Sequence, residues 1–187
     1  MTFPTNVFVL CTGRCGSMTL ARACGHFANW TAAHESLTHA TGPARLAYRP
    51  QHIEIDNRLS WLLGRLERAW GPEAAYVHLL RDPEAVAQSF SQRANQGIIR
   101  AYRTDILARA RTRTPKVPLI TFCRDYVDTA NANIAAFLQG KPHQMTIHLE
   151  TIGTDFDAFC DWIGATGDLE AARAELGVRH NATESGT

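Results

Sequence analysis

Residues 7–19, Val-Phe-Val-Leu-Cys-Thr-Gly-Arg-Cys-Gly-Ser-Met-Thr, place an unbroken apolar run directly before a turn with two glycines and then a helix-forming segment. A strand that runs through a glycine turn into a helix constrains the fold more than any other feature of the chain. Gly13 and Gly16 allow a tight turn and a close backbone approach, and the free N–H groups opening the next helix point at whatever anion lies there. In an α/β protein the first such βα turn is a ligand-binding turn.

The rest of the chain switches repeatedly between strand-like and helix-like periodicity. Leu20, Cys24 and Phe27 share a helical face, and 29–34 reads as a second strand. Residues 36–50, with Gly42, Pro43 and Pro50, read as a loop. A helix is predicted around 53–69 from Ile55, Leu59, Leu62, Leu63 and Leu66, and a third strand over 75–80. Ile98, Ile99, Tyr102, Ile106 and Leu107 predict one further helix, and Val127, Ala130, Ile134, Phe137 and Leu138 another. Residues 145–149 read as a short strand. The last apolar face, Phe156, Phe159, Cys160 and Ile163, stops at Gly164, a good helix terminator. Alternating strands and helices imply one α/β domain over 1–178, with a central parallel sheet covered by helices on both sides, and a loose tail over 179–187.

The loop departs from the kinase pattern G-x-x-x-x-G-K-[ST], with Cys11 at the first glycine and Ser17 at the lysine. The point charge that handles β- and γ-phosphates is missing, and Arg14 inside the loop is the cation available to a phosphate across the turn. The phosphatase pattern C-x5-R-[ST] fails too, because its arginine would fall at Ser17 or Ala21. Cys11 and Cys15 therefore read as packing and loop residues.

Thr12-Gly13-Arg14-Cys15-Gly16-Ser17-Met18-Thr19 resembles the 5′-phosphosulfate loop of sulfotransferases that use 3′-phosphoadenosine 5′-phosphosulfate (PAPS), typically K/R-S-G-T-T. Cys15 stands where serine is common and Met18 where threonine is common, so that Met18 is expected to offer its backbone N–H and pack its side chain inward. A second segment, Ala75 to Arg93, is a strand ending in Arg81-Asp82-Pro83, with Pro83 placed to open a helix. The family's 3′-phosphate site has an arginine at a strand end and a serine eight residues later, the spacing of Arg81 and Ser89. The resemblance implies a P-loop-like three-layer sandwich of the sulfotransferase and nucleoside-kinase type. It implies a donor site of Thr12, Gly13, Arg14, Cys15, Gly16, Ser17, Met18, Thr19, Arg81, Ser89 and Arg93, with PAPS as donor and 3′,5′-ADP as product. The C-terminal R-K-G segment of cytosolic members is absent, leaving Arg93, Arg100 or Arg103 to complete the 3′-phosphate site.

Sulfuryl transfer needs positioned anions, stabilisation of charge on the departing phosphate, and a base at the acceptor. The resemblance gives Arg14 the second role. Glu35, just after strand two at the end of the sheet that lines a ligand crevice, is the preferred base, with His34 the alternative of more convenient pKa. His52, Glu54 and Asp56 form a weaker cluster toward the acceptor side. Arg58 and Trp61 read as ordinary helix residues, and His148 and Glu150 as structural. By analogy with phosphoryl transfer, basic side chains suffice and no metal is expected.

Composition agrees with one globular domain: 187 residues, 45% hydrophobic, are enough for a real core, and a net charge of +1 gives no sign of a nucleic-acid partner. Five cysteines without metal-ligand spacing indicate neither a disulfide framework nor a structural metal. The early apolar run Val7–Cys11 is too short for a signal or a membrane span, so a cytoplasmic protein with reduced thiols is expected and the sequon Asn181-Ala-Thr183 carries no weight. The basic residues at 100, 103, 109, 111, 113 and 116 read as a solvated helix face. Two other classes stay open: a small-molecule kinase with Asp82 as metal-binding acid, and a non-catalytic 3′-phosphoadenosine nucleotide binder. The acceptor is a small molecule, a carbohydrate or a lipid headgroup, and oligomeric state is not indicated.

Overall fold

β1 (Asn6–Cys11) runs through the centre of the molecule with every residue buried. Val7, Val9 and Cys11 face one core, and Phe8 and Leu10 face another. A strand covered on both faces carries no polar side, which is why this segment is continuously apolar. The structure, a computed structural model, describes residues 3–93, 95–107 and 117–178. The tail over 179–187 and the basic positions 109, 111, 113 and 116 lie outside the described residues.

After β1 come α1 (Ser17–Cys24), β2 (Thr31–His34), β3 (His52–Ile55), α2 (Leu63–Ala69), β4 (Ala75–Leu80) and α3 (Pro83–Ser91). The chain continues with α4 (Gly97–Ala101), α5 (Leu119–Leu138), β5 (Gln144–His148), α6 (Ile152–Ile163) and α7 (Leu169–Leu176). The five strands form one parallel sheet in the order β2-β3-β1-β4-β5. Helices α1, α6 and α7 cover one face through Leu20, Cys24, Phe156, Phe159 and Ala172. The other face is covered by α2 and α5 through Leu66, Ile134 and Leu138. A third apolar cluster joins α3, α4 and the first half of α5 through Val86, Phe90, Ile99 and Tyr126. No helix among the described residues is long and apolar enough to cross a membrane.

The helix predicted over 53–69 is replaced by a strand, a 3₁₀ turn (Asn57–Trp61) and the short α2. β1 has two edges whose buried N–H and C=O groups must be paired, and His52–Ile55 pairs one of them, Asn6 against His52 through Val9 against Ile55. Ile53 and Ile55 then face the α1 side as strand residues. The apparent helical period arose because a strand and a helix happen to be joined by one turn. Smaller differences follow the same pattern. The 98–107 helix divides into α4 and a π-helical turn over Tyr102–Leu107, α5 begins at Leu119, and α6 begins at Ile152. α6 does end at Gly164, in the left-handed conformation at φ 61. α7 was not anticipated.

With β1 central and successive crossovers leaving on either side of it, the turn after β1 sits where the strand order reverses. A ligand crevice opens at that point, outside the carboxyl ends of the strands.

Candidate active site

The turn between β1 and α1 uses left-handed backbone at Gly13 (φ +83), Arg14 (φ 60) and Gly16 (φ +85). Packing adds a second constraint. A Cβ on Gly13 would stand 2.7 Å from Asn57 Nδ2, and one on Gly16 would stand 2.6 Å from Leu149 Cδ1. The loop is pinned to β1 by the carbonyl oxygen of buried Thr12, which accepts from the Tyr126 hydroxyl at 2.7 Å and from Asn57 Nδ2 at 3.4 Å. Ser60 Oγ donates to the Cys11 carbonyl at 3.0 Å.

The electrostatics of this turn favour negative charge. Cys15, buried beneath it, has its thiol pKa lowered by a hydrogen bond with Cys11 and by the N–H groups of Gly13, Cys15 and Ser17, against the opposing effect of burial. The Cys11 thiol is pushed well up by the same contact and by burial. Both cysteines are completely buried, consistent with packing roles, and no cysteine of the chain is in a disulfide.

Three guanidinium groups from three places in the chain gather beside the loop. Arg14 Nε donates to Ser89 Oγ at 2.9 Å, and Arg81 Nη1 donates to the Arg14 carbonyl oxygen at 2.9 Å. Burial, then the nearby charges of Arg93 and Arg81, lower the Arg14 pKa. Like charges held this close repel one another, so the arrangement suits a doubly or multiply charged anion between them. Arg81 leaves the end of β4, and α3 starts beside it because Asp82 caps its N-terminus by accepting from the Ala85 N–H at 2.8 Å. Two turns into α3, Ser89 has come round to the Arg14 side. Arg93 follows α3 directly.

The remaining loop residues are placed as follows. Ser17 opens α1, and its hydroxyl lies 3.0 Å from His34 Nε2. Thr19 is buried with its hydroxyl toward the Val178 carbonyl, and Met18 is half-buried. His34 thus reaches the start of α1, just after the glycine turn. Glu35, the next residue, turns the other way through a left-handed backbone (φ 55) and forms an ion pair with Arg58. Arg58 is therefore not an ordinary helix residue: it sits in the 3₁₀ turn and holds the carboxylate of Glu35.

His52, Glu54 and Asp56 turn into the protein. All three are buried, and each is satisfied inside the protein. Glu54 accepts from the Ser36 N–H at 2.7 Å, from Ser36 Oγ at 2.6 Å and pairs with His52 Nε2 at 3.0 Å, while Asp56 is held by Arg45 and the Arg58 N–H. They brace the chain after β2. His148 and Glu150 also act within the fold: Glu150 Oε1 accepts from the Asp82 N–H at 2.8 Å, and the His148 N–H donates to Asp155.

Between the 3₁₀ turn, the start of α2 and α4 lies a groove of about 600 Å³ lined by Arg58, Trp61, Leu62, Arg65, Ile98 and Ala101. Arg58 is common to this groove and to the Glu35 pair. Asn57, Trp61 and Tyr126 had no signal in the sequence. Tyr126 meets Thr12 across 114 residues, a separation no motif spans.

A crevice at the carboxyl ends of a parallel sheet, with an arginine-bearing glycine loop after β1, gives the chain a P-loop-like α/β fold of the kind seen in sulfotransferase domains. Solved structures with this fold include the sulfotransferase domain from the curacin biosynthetic pathway, with a TM-score of 0.63, 14% identity, and coverage of 94% of this chain and 77% of that one. A second is the sulfotransferase domain from the Synechococcus PCC 7002 olefin synthase, with a TM-score of 0.61, 16% identity, and coverage of 100% and 82%. At these identities the likeness concerns the fold. No family model and no curated protein matches the sequence.

Proposed function

We propose that the chain is a sulfotransferase that moves a sulfuryl group from PAPS to a hydroxyl or amine. The observation that carries this reading is the meeting of Arg14, Arg81 and Ser89 at a phosphate loop that has no lysine. Two sequence motifs far apart in the chain thereby come together, which supports a site for a polyanion. Thr12 to Thr19 take the 5′-phosphosulfate, with the loop N–H groups and Arg14 on the bridging phosphate. Arg81, Ser89 and Arg93 take the 3′-phosphate.

Transfer is an in-line displacement. The acceptor oxygen or nitrogen forms a bond to sulfur, the bond from sulfur to the 5′-phosphate oxygen breaks, and its electron pair leaves with 3′,5′-ADP. Arg14 offsets the charge that grows on that phosphate, and a base takes the acceptor proton. Glu35 is the preferred base because it lies at the end of β2 on the side of the groove and Arg58 fixes its carboxylate. His34, on Ser17, stands on the donor side and is the alternative. If Glu35→Gln kept near wild-type turnover while His34→Ala abolished it, the assignment would pass to His34.

The kinase alternative is disfavoured by Asp82, whose carboxylate caps α3 and whose N–H is held by Glu150. Thermal stabilisation decides between the readings. Saturating 3′,5′-ADP at a hundredfold excess over Kd should raise stability by about 2.7 kcal/mol, or roughly 5 to 10 °C in Tm for a chain of this size. A 5′-AMP control should do far less. A shift with Mg·ATP alone would overturn the proposal, and 3′,5′-ADP binding without turnover on any acceptor would favour a nucleotide-binding protein.

A further inference from the structure

The groove beside Glu35 has apolar walls and an unbalanced charge. Trp61 and Leu62 line it from the end of the 3₁₀ turn, and Ile98 and Ala101 from α4. Three arginines reach it, and no acidic residue lines it among the described residues. Two of the three are already matched, Arg45 by Asp56 and Arg58 by Glu35. Arg65 is different. It donates to the Gly42 carbonyl oxygen at 2.5 Å and meets no carboxylate among the described residues. A guanidinium presents five N–H donors in a planar fork suited to a carboxylate, and one carbonyl leaves most of them to a ligand.

Arg58 lies in the 3₁₀ turn and Arg65 in α2, seven residues apart on two short helical segments that meet at Leu62, so their backbone positions differ by at most roughly 10 to 14 Å at about 1.5 to 2.0 Å per residue. The groove therefore has the Glu35 carboxylate pair at one end, an apolar middle, and a cation at the other end. Its volume lies in the ordinary range for small-molecule sites.

We infer that the groove binds an amphipathic acceptor: an alcohol whose hydroxyl is carried on an apolar body about 10 Å long that ends in a carboxylate or similar anion. The anion sits on Arg65, the body lies between Trp61 and Ile98, and the hydroxyl is delivered beside Glu35. This ligand class follows from the groove itself, and its role as acceptor rests on the sulfotransferase reading. Neutral sugars fit the site less well, because nothing in their chemistry matches the Arg65 charge and the apolar walls offer few polar partners.

The test is isothermal titration calorimetry of the full chain without nucleotide, using 10-hydroxydecanoate, 1,10-decanediol and glucose as probes. The hydroxy acid should bind at least tenfold tighter than the diol, and glucose should give no measurable heat. Arg65→Gln should remove the tenfold preference and leave diol binding as it was, which also shows that the variant is folded. Equal affinity for acid and diol in the wild type, or tighter binding of glucose than of either, would overturn the inference without recourse to any variant. A parallel titration with 3′,5′-ADP keeps the two readings apart. Hydroxy acid binding without 3′,5′-ADP binding leaves the groove assignment standing and removes the donor assignment. The reverse result removes the groove assignment alone.

Discussion

Replacing Gly13 by alanine tests the loop geometry on which the proposed donor site depends. Two costs are predicted. At φ +83 an alanine adopts a left-handed backbone, which costs about 1 kcal/mol or a little more. Its Cβ would also stand 2.7 Å from Asn57 Nδ2, a distance that forces the amide or the loop to move, for about 1 to 3 kcal/mol as in an overpacked core. Together these amount to about 2 to 4 kcal/mol, or about 4 to 16 °C in Tm at the usual 2 to 4 °C per kcal/mol. Gly42 supplies the control. It too has a positive φ, +57, but a Cβ there meets nothing within 4 Å, so Gly42→Ala should show only the backbone cost. Differential scanning calorimetry of Gly13→Ala, Gly42→Ala, Asn57→Ala and the Gly13→Ala/Asn57→Ala pair completes the cycle. Removing the Asn57 amide should restore about 1 to 3 kcal/mol of the Gly13→Ala loss as a coupling energy. Equal Tm losses for the two single glycine variants, or strict additivity in the double variant, would refute the claim that Asn57 walls the loop.

Ser89→Ala removes the hydroxyl that meets both Arg14 and the proposed 3′-phosphate, and should weaken 3′,5′-ADP about tenfold or more by calorimetry while leaving 5′-AMP unchanged. Arg45→Met strands a fully buried Asp56 carboxylate and should cost about 3 to 5 kcal/mol in urea denaturation, as broken buried pairs do; a loss below 1 kcal/mol would show that the pair is not shielded. Burial depresses the pKa of His78, 6% exposed, below its ordinary 6.5. The unfolded chain therefore takes up a proton first, so stability is full above pH 6.5 and falls as pH drops from there toward the folded pKa. Denaturation midpoints at pH 7.5 and 5.5 should converge in His78→Gln relative to wild type, and an unchanged difference would assign the acid sensitivity elsewhere.

Much of the candidate site was legible because its residues lie on short local patterns. A glycine turn after an apolar strand marks the candidate loop, and Arg81 to Ser89 is a strand end followed by two turns of helix, so their spacing lets both reach Arg14. Where the sequence misled, a local period had two physical readings. Ile55, Leu59 and Leu62 fit a helix, yet His52–Ile55 became a strand because the buried edge of β1 had to be hydrogen-bonded. For the same reason His52, Glu54 and Asp56 passed from site candidates to interior pairs.

By itself, then, the sequence determined the α/β class and the glycine turn after β1, since each depends on interactions within a few turns of chain. Tertiary structure alone decided that Tyr126 and Asn57 anchor the loop, that Arg58 pairs with Glu35 while His34 meets Ser17, and that Arg65 lines the groove with no acidic partner among the described residues. Those contacts join segments whose separation in the chain carries no periodic signal, and only the burial of a shared core brings them together.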